Sequence, residues 1–141
     1  MAETIKVLLV EDSQADARLI KEVFRDEKIM VDLDIARDGE EAMEYLLSEG
    51  NNPDLVILDL NLPRKDGREV LAEIKENKSL RTIPVVILTT SQSEEDIIKS
   101  YKLNANCYVT KPIDLDQFIK IIKSLDEFWF SAVKFPRENK K

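Results

Sequence analysis

The chain has 141 residues, 43% of them hydrophobic, enough for one domain with a sizeable core and too many for a disordered polymer. Its 28 acidic residues outnumber 21 basic ones for a net charge of −7, which disfavours nucleic acid as a direct partner because phosphate neutralisation needs a basic patch. The single cysteine, Cys107, excludes an internal disulfide, and the absence of histidine argues against a zinc site. The first residues lack the apolar core of a signal peptide and no apolar run approaches transmembrane length, so a reducing, cytoplasmic setting without a membrane partner is expected.

In chain order, Lys6-Val7-Leu8-Leu9-Val10 is a continuous apolar run and predicts a strand buried on both faces, ending in Glu11-Asp12. Ser13 offers an N-cap with Asp16 in capping-box position, and Leu19, Ile20, Val23 and Phe24 follow at helical spacing to about Glu27. Val31-Asp32-Leu33-Asp34-Ile35-Ala36 alternates, as an edge strand with one wetter face does. Asp38 caps the next helix, whose apolar stripe is Ala42, Met43, Leu46 and Leu47. Asp54-Leu55-Val56-Ile57-Leu58-Asp59 is a third strand, apolar until it meets a carboxylate at its C-terminal end. Turn residues 62–67 lead to a helix with Val70, Leu71 and Ile74 inward. Residues 83–89 form a fourth strand ending in the hydroxyls Thr89, Thr90 and Ser91. Ser93 caps a helix carrying Ile97, Ile98 and Tyr101; residues 106–110 make a short strand closed by Lys111-Pro112, and a last helix begins near Leu115.

Strand and helix alternate five times, with crossovers long enough to demand parallel pairing. The expected fold is therefore α/β: a flavodoxin-like (βα)5 doubly wound parallel sheet of strand order 2-1-3-4-5, with an extended C-terminal helix and tail. In that order strands one and three are neighbours, and Glu11, Asp12 and Asp59 converge where the order reverses. Two unit charges about 4 Å apart repel by roughly 4 kcal/mol at an effective dielectric near 20, so either one carboxylate holds a proton or a cation binds. Strand five brings Lys111 to the same edge, but one ammonium does not balance three carboxylates. Oxygen donors without a dedicated cage point to Mg²⁺. A cation, a lysine and the Thr89 hydroxyl around a carboxylate suit a phosphoryl group, with Asp59 as the nucleophile.

The set Glu11-Asp12, Asp59, Thr89, Tyr108 and Lys111-Pro112, in this order and each at a strand end, resembles the receiver domain of two-component response regulators. The resemblance spans about residues 6–125. It implies that Asp59 is the phosphoacceptor, Asp12 a direct Mg²⁺ ligand, Glu11 a ligand through water, and the Asn61 backbone carbonyl a further ligand. Thr89 and Lys111 would contact the phosphoryl group, Thr89 and Tyr108 would act as the switch, and Lys111-Pro112 would be a cis peptide. Leu103-Asn104-Ala105 carries Asn where the family usually has Gly, a turn Asn tolerates.

The expected organisation is a receiver domain over residues 1–126 and an apolar extension over 127–141 that continues the last helix. Trp129 continues the helical stripe of Phe118, Ile121, Ile122 and Leu125, and Phe128, Phe130, Val133 and Phe135 are surplus to it, which favours an interface, with Phe128, Trp129, Phe130 and Phe135 as its candidates, over a fold-back on the domain. The extension, with Asn104-Ala105-Asn106-Cys107-Tyr108, resembles the single-domain regulators paired with bacterial phytochrome kinases. That narrower resemblance implies a sensor histidine kinase of phytochrome type as partner. It also implies a homodimer through the face made by the fourth helix, fifth strand and fifth helix. A stand-alone response regulator, not an enzyme acting on a separate substrate, is thus the expected function. An aspartyl-phosphate phosphatase or mutase would need a general acid at the position of Asn61. A flavin module would meet repulsion between its phosphate and Glu11-Asp12.

Overall fold

Five parallel strands form one sheet in the order β2-β1-β3-β4-β5, flanked by helices on both faces. The computed structural model describes residues 4–90 and 107–128, without the side chains of Thr89, Cys107, Tyr108 and residues 125–128. The strands are β1 (Ile5–Val10), β2 (Val31–Ala36), β3 (Leu55–Asp59), β4 (Val85–Thr89) and β5 (Cys107–Thr110). Between them run α1 (Gln14–Asp26), α2 (Gly39–Leu47) and α3 (Gly67–Glu76), and a C-terminal helix covers Leu115–Phe128. The helix expected from Ser93 and the turn at Asn104 lie outside the described residues, as does the chain beyond Phe128.

The unbroken apolar runs become the inner strands because each face of the sheet carries its own core. On one face Leu8, Val10, Val56, Leu58 and Ile87 pack against Ala42, Met43 and Leu46 of α2 and Val70, Leu71 and Ile74 of α3. On the other, Val7, Leu9, Ile57, Val86, Leu88 and Val109 meet Ile20, Val23 and Phe24 of α1 and Phe118 and Ile122 of the C-terminal helix. Phe24 and Phe118 close that layer edge to face, 6.4 Å between centroids, a geometry worth about 1 kcal/mol beyond the area it buries. Every residue of β3 is buried. The alternating strand β2 takes an edge, as its pattern predicts, and Tyr45 Oη of α2 donates to Asp34 Oδ2 at 2.6 Å to satisfy its half-buried carboxylate.

Strand β4 begins at Val85 rather than Ile83. Pro84 has no N–H for the ladder, although its carbonyl still accepts from Val56 N at 3.0 Å. Helices α1, α2 and α3 start at Ser13, Asp38 and Asp66, whose side chains accept from the amides of Asp16, Glu41 and Arg68 respectively. Among the described residues no helix is long and apolar enough to cross a membrane.

Gly67 fixes how α3 leaves the end of β3. Its N–H donates to Leu60 O at 3.1 Å, and a Cβ on it would collide with the Asp59 carbonyl oxygen and the Leu60 Cα. Those are backbone atoms of a buried strand end and do not yield cheaply. Gly67→Ala is expected to destabilise the fold by about 2–4 kcal/mol, read as a lowered urea midpoint at unchanged m-value. A variant as stable as the parent would show that the approach of α3 to β3 is not tight.

Candidate functional site

The parallel register brings four chain segments to one edge of the sheet. Val10 pairs with Leu58, so Glu11 and Asp12 emerge beside Asp59. Asp59 pairs with Leu88, and Thr89 with Thr110, so Lys111 leaves β5 at the same level. The sequence-predicted residues Glu11, Asp12, Asp59 and Lys111 are therefore brought together. Asn61 lies just past β3. The backbones of Thr89 and Tyr108 sit in β4 and β5, and Tyr108 is paired with Ile87. Their side chains lie outside the described ones, as do those of Phe128, Trp129, Phe130 and Phe135.

Among the described residues, Glu11 and Asp59 are the buried charged residues, at 1% and 3% exposure of the whole residue. Each is held at both oxygens. Glu11 Oε2 accepts from Ser13 N at 3.1 Å, so the N-cap of α1 also clamps the end of β1. Glu11 Oε1 lies 2.6 Å from Lys111 Nζ as an ion pair, but no donor is aligned on it as a hydrogen bond. Asp59 Oδ1 accepts from Asn61 N at 2.9 Å, and Oδ2 accepts from Lys111 Nζ at 3.1 Å. The Asn61 side-chain amide donates to Thr90 Oγ1 at 3.0 Å, bridging the loops after β3 and β4. The Lys111–Pro112 peptide is cis.

Sequence reasoning missed Asp16 as a member of this cluster. Its Oδ2 lies 3.0 Å from Lys111 Nζ, and it does not complete a reciprocal capping box, because the Ser13 N–H goes to Glu11 instead. Only half of the box forms: Ser13 Oγ accepts from Asp16 N at 3.2 Å. The available signal was that side chains in the first turn of a helix lean back toward its N-terminus, here toward the strand ends.

Burial pushes the Glu11 carboxyl up to about 7; Lys111 pulls it back, Asp59 adds to the rise through a shared hydrogen bond and its charge, and the Ser13 amide opposes it. For Lys111, burial acts downward, but its contacts to Glu11 and Asp16 and the charge of Asp59 outweigh that and raise its pKa. The cluster thus holds more negative charge than its one ammonium neutralises, and a proton is drawn to Glu11.

Glu11, Asp12 and Asp59 each offer a carboxylate oxygen, all within 4.8 Å of one another. An all-oxygen donor set, an ion-paired oxygen with no aligned donor, and unmet negative charge fit a hard divalent cation. Asp12 is the exposed member and opens the group to solvent. A buried carboxylate fixed at the end of a dry strand, an ammonium on one side and an acidic group on the other: this arrangement can accept a phosphoryl group and neutralise its oxygens.

Residues 7–123 match the response regulator receiver domain, and the chain belongs to that family. Among its relatives is the response regulator Rcp1 of Synechocystis sp., 50% identical over 135 residues that cover 92% of each chain. The phosphorylated cyanobacterial phytochrome response regulator RcpA is 49% identical with a TM-score of 0.79, covering 92% of this chain and 96% of its own. The Mn²⁺-bound form of Rcp1 is 50% identical with a TM-score of 0.77, covering 91% of this chain and 96% of its own. The expected strand order and family both hold.

Glu11 makes the stability of the metal-free protein pH-dependent in a defined direction. Between about 4.5 and about 7 the folded chain keeps a proton that the unfolded chain has released, so rising pH favours unfolding across that window. The contribution is complete below the unfolded value, is lost through the window, and is flat above it. Urea titrations in chelator are expected to show wild type losing stability relative to Glu11→Gln, at no more than about 1.4 kcal/mol per pH unit. Parallel profiles for the two proteins would mean that Glu11 titrates as an ordinary carboxylate.

Proposed function

We propose that this chain is a phosphoryl-accepting response regulator in which Asp59 takes a phosphoryl group from a histidine kinase. The observation that carries the reading is the convergence on buried Asp59 of Lys111, at 3.1 Å, and of the Glu11 and Asp12 carboxylates. A carboxylate oxygen of Asp59 forms the O–P bond as the N–P bond of phosphohistidine breaks, and the imidazole nitrogen keeps the electron pair. Lys111 neutralises one side of the transferring group. Glu11, Asp12, Asp59 and the Asn61 carbonyl would hold Mg²⁺, which when bound would supply positive charge against the phosphoryl oxygens. The Asn61 N–H keeps Asp59 oriented. Thr89 would donate its hydroxyl to the phosphoryl group, and Tyr108 would follow it inward. Hydrolysis of the acyl phosphate resets the state, so the chain promotes its own phosphorylation and dephosphorylation and acts on no other substrate.

Relatives described as phytochrome and bacteriophytochrome response regulators support a phytochrome-type sensor kinase as the donor. Residues 1–126 would form the receiver. The segment 127–141, with Phe128, Trp129, Phe130 and Phe135, would join the fourth-helix, fifth-strand and fifth-helix face in a homodimer.

Incubation with a small acyl phosphate and Mg²⁺, followed by intact mass measurement, is expected to give one phosphoryl adduct. The adduct should fall at least about a hundredfold in Asp59→Asn and in chelator. Its persistence in Asp59→Asn would falsify the acceptor assignment. For the extension, sedimentation should show the full chain associating with concentration and a chain ending at Asp126 remaining monomeric. Identical masses for the two at every concentration would sink the interface.

A further inference from the structure

The proposed reaction leaves the Asp16 carboxylate without a task, yet it lies as close to the Lys111 ammonium as Asp59 does, 3.0 against 3.1 Å. Its side chain is 31% exposed, whereas those of Glu11 and Asp59 are 0% and 4%, so it is the wetter of the lysine's three partners. Among the described residues, Glu11, Asp12 and Asp59 form the three-carboxylate group, and Asp16 stands outside it. The ammonium therefore touches two carboxylates that a cation would need and a third that it would not.

We propose that Asp16 is a positioning residue: its carboxylate draws the Lys111 ammonium toward α1 and so releases Glu11 and Asp59 to a divalent cation. The inference rests on the cation-site reading above and adds a residue outside the ligand set. An ammonium in contact with ligand carboxylates competes with a cation for them. A buried ammonium does not leave such a contact unless another anion receives it. Asp16 is that anion, and α1 holds it in place: its N–H donates to Ser13 Oγ, while the Ser13 N–H holds Glu11 Oε2. One short junction thus fixes both a ligand and the counter-anion of the ligand's competitor. The lysine stays paired in either position, so displacing it leaves no unpaired buried charge.

A plain negative charge near the site would also favour a cation, and a double-mutant cycle separates the two effects. Mn²⁺ alone is titrated into wild type, Asp16→Asn, Lys111→Met and the double variant, with free Mn²⁺ read by its electron paramagnetic resonance signal. Thermal melts confirm folding, and Asp16→Ser serves as a second neutral replacement. Asp16→Asn and Asp16→Ser are expected to weaken Mn²⁺ binding roughly five- to tenfold when Lys111 is present and less than about twofold when it is Met. Asp16→Glu is expected to recover binding to within about twofold. Equal weakening in both backgrounds makes Asp16 a remote charge and overturns the proposal, as does no weakening in either. If wild type itself binds no Mn²⁺, the cation-site reading fails and the proposal falls with it.

Discussion

The ammonium of Lys111 ties together the ends of three strands and the first turn of a helix. It lies 2.6, 3.0 and 3.1 Å from carboxylates of Glu11, Asp16 and Asp59, from β1, α1 and β3, while it is itself delivered by β5. A pair at about 3 Å attracts by roughly 5 kcal/mol at an effective dielectric near 20, before desolvation is counted. Carboxylate oxygens of Glu11, Asp12 and Asp59, all within 4.8 Å of one another, repel by at least roughly 3 kcal/mol per pair under the same assumption. One cation against three anions is therefore bound but not balanced. Burial first, and the neighbouring Asp59 after it, raise the Glu11 carboxyl, and the remaining imbalance of charge suits a second, harder cation.

The lysine holds this position only because the sheet beneath it does not give. All of β3 is buried, with a separate apolar core on each face, so Asp59 has no alternative placement. Leu60 is buried just beyond it, and Gly67 seats α3 against the same backbone. Above the edge the environment changes within one or two residues: Asp12 and Asn61 are exposed. The proposed acceptor thus combines a fixed carboxylate with an open approach. A flexible loop carrying the same residues would lose that combination, because each carboxylate would relax toward water.

The strands and their order were legible because burial on both faces writes itself as unbroken apolar runs, and a half-wet edge as alternation. The strand-end carboxylates and Lys111 were legible for the same reason, since parallel register carries every strand end to one side. Asp16 was not. Its position relative to Ser13 fits a local capping motif, and only the tertiary distance to a lysine on the far side of β3 shows that its carboxylate is engaged elsewhere. Glu11 is a related case. Sequence weighed protonation of the crowded carboxylates against a cation and settled on the cation, without saying which carboxylate would otherwise take the proton. Burial shows that without a cation the proton goes to Glu11, the carboxylate with an oxygen that no donor is aligned to satisfy. The later start of β4, at Val85, followed from Pro84, a backbone effect its apolar neighbours obscured.

The geometry also explains why a charge change at Asp59 would be felt at one edge of the sheet in particular. Among the described residues β5 ends the sheet, paired with β4, and it carries Tyr108 and leads into Lys111. Under the proposed function a phosphoryl group would carry negative charge outward from Asp59, and the lysine that neutralises it would follow. On the opposite edge, β2 contributes no group to the cluster, and Ala36 at its end is packed into the core. Between them, β1 and β3 are locked by apolar contacts on both faces. A local change in charge at Asp59 is therefore placed to reach the β5 edge through Lys111, and under the proposed function that edge is where altered partner contacts would be read out.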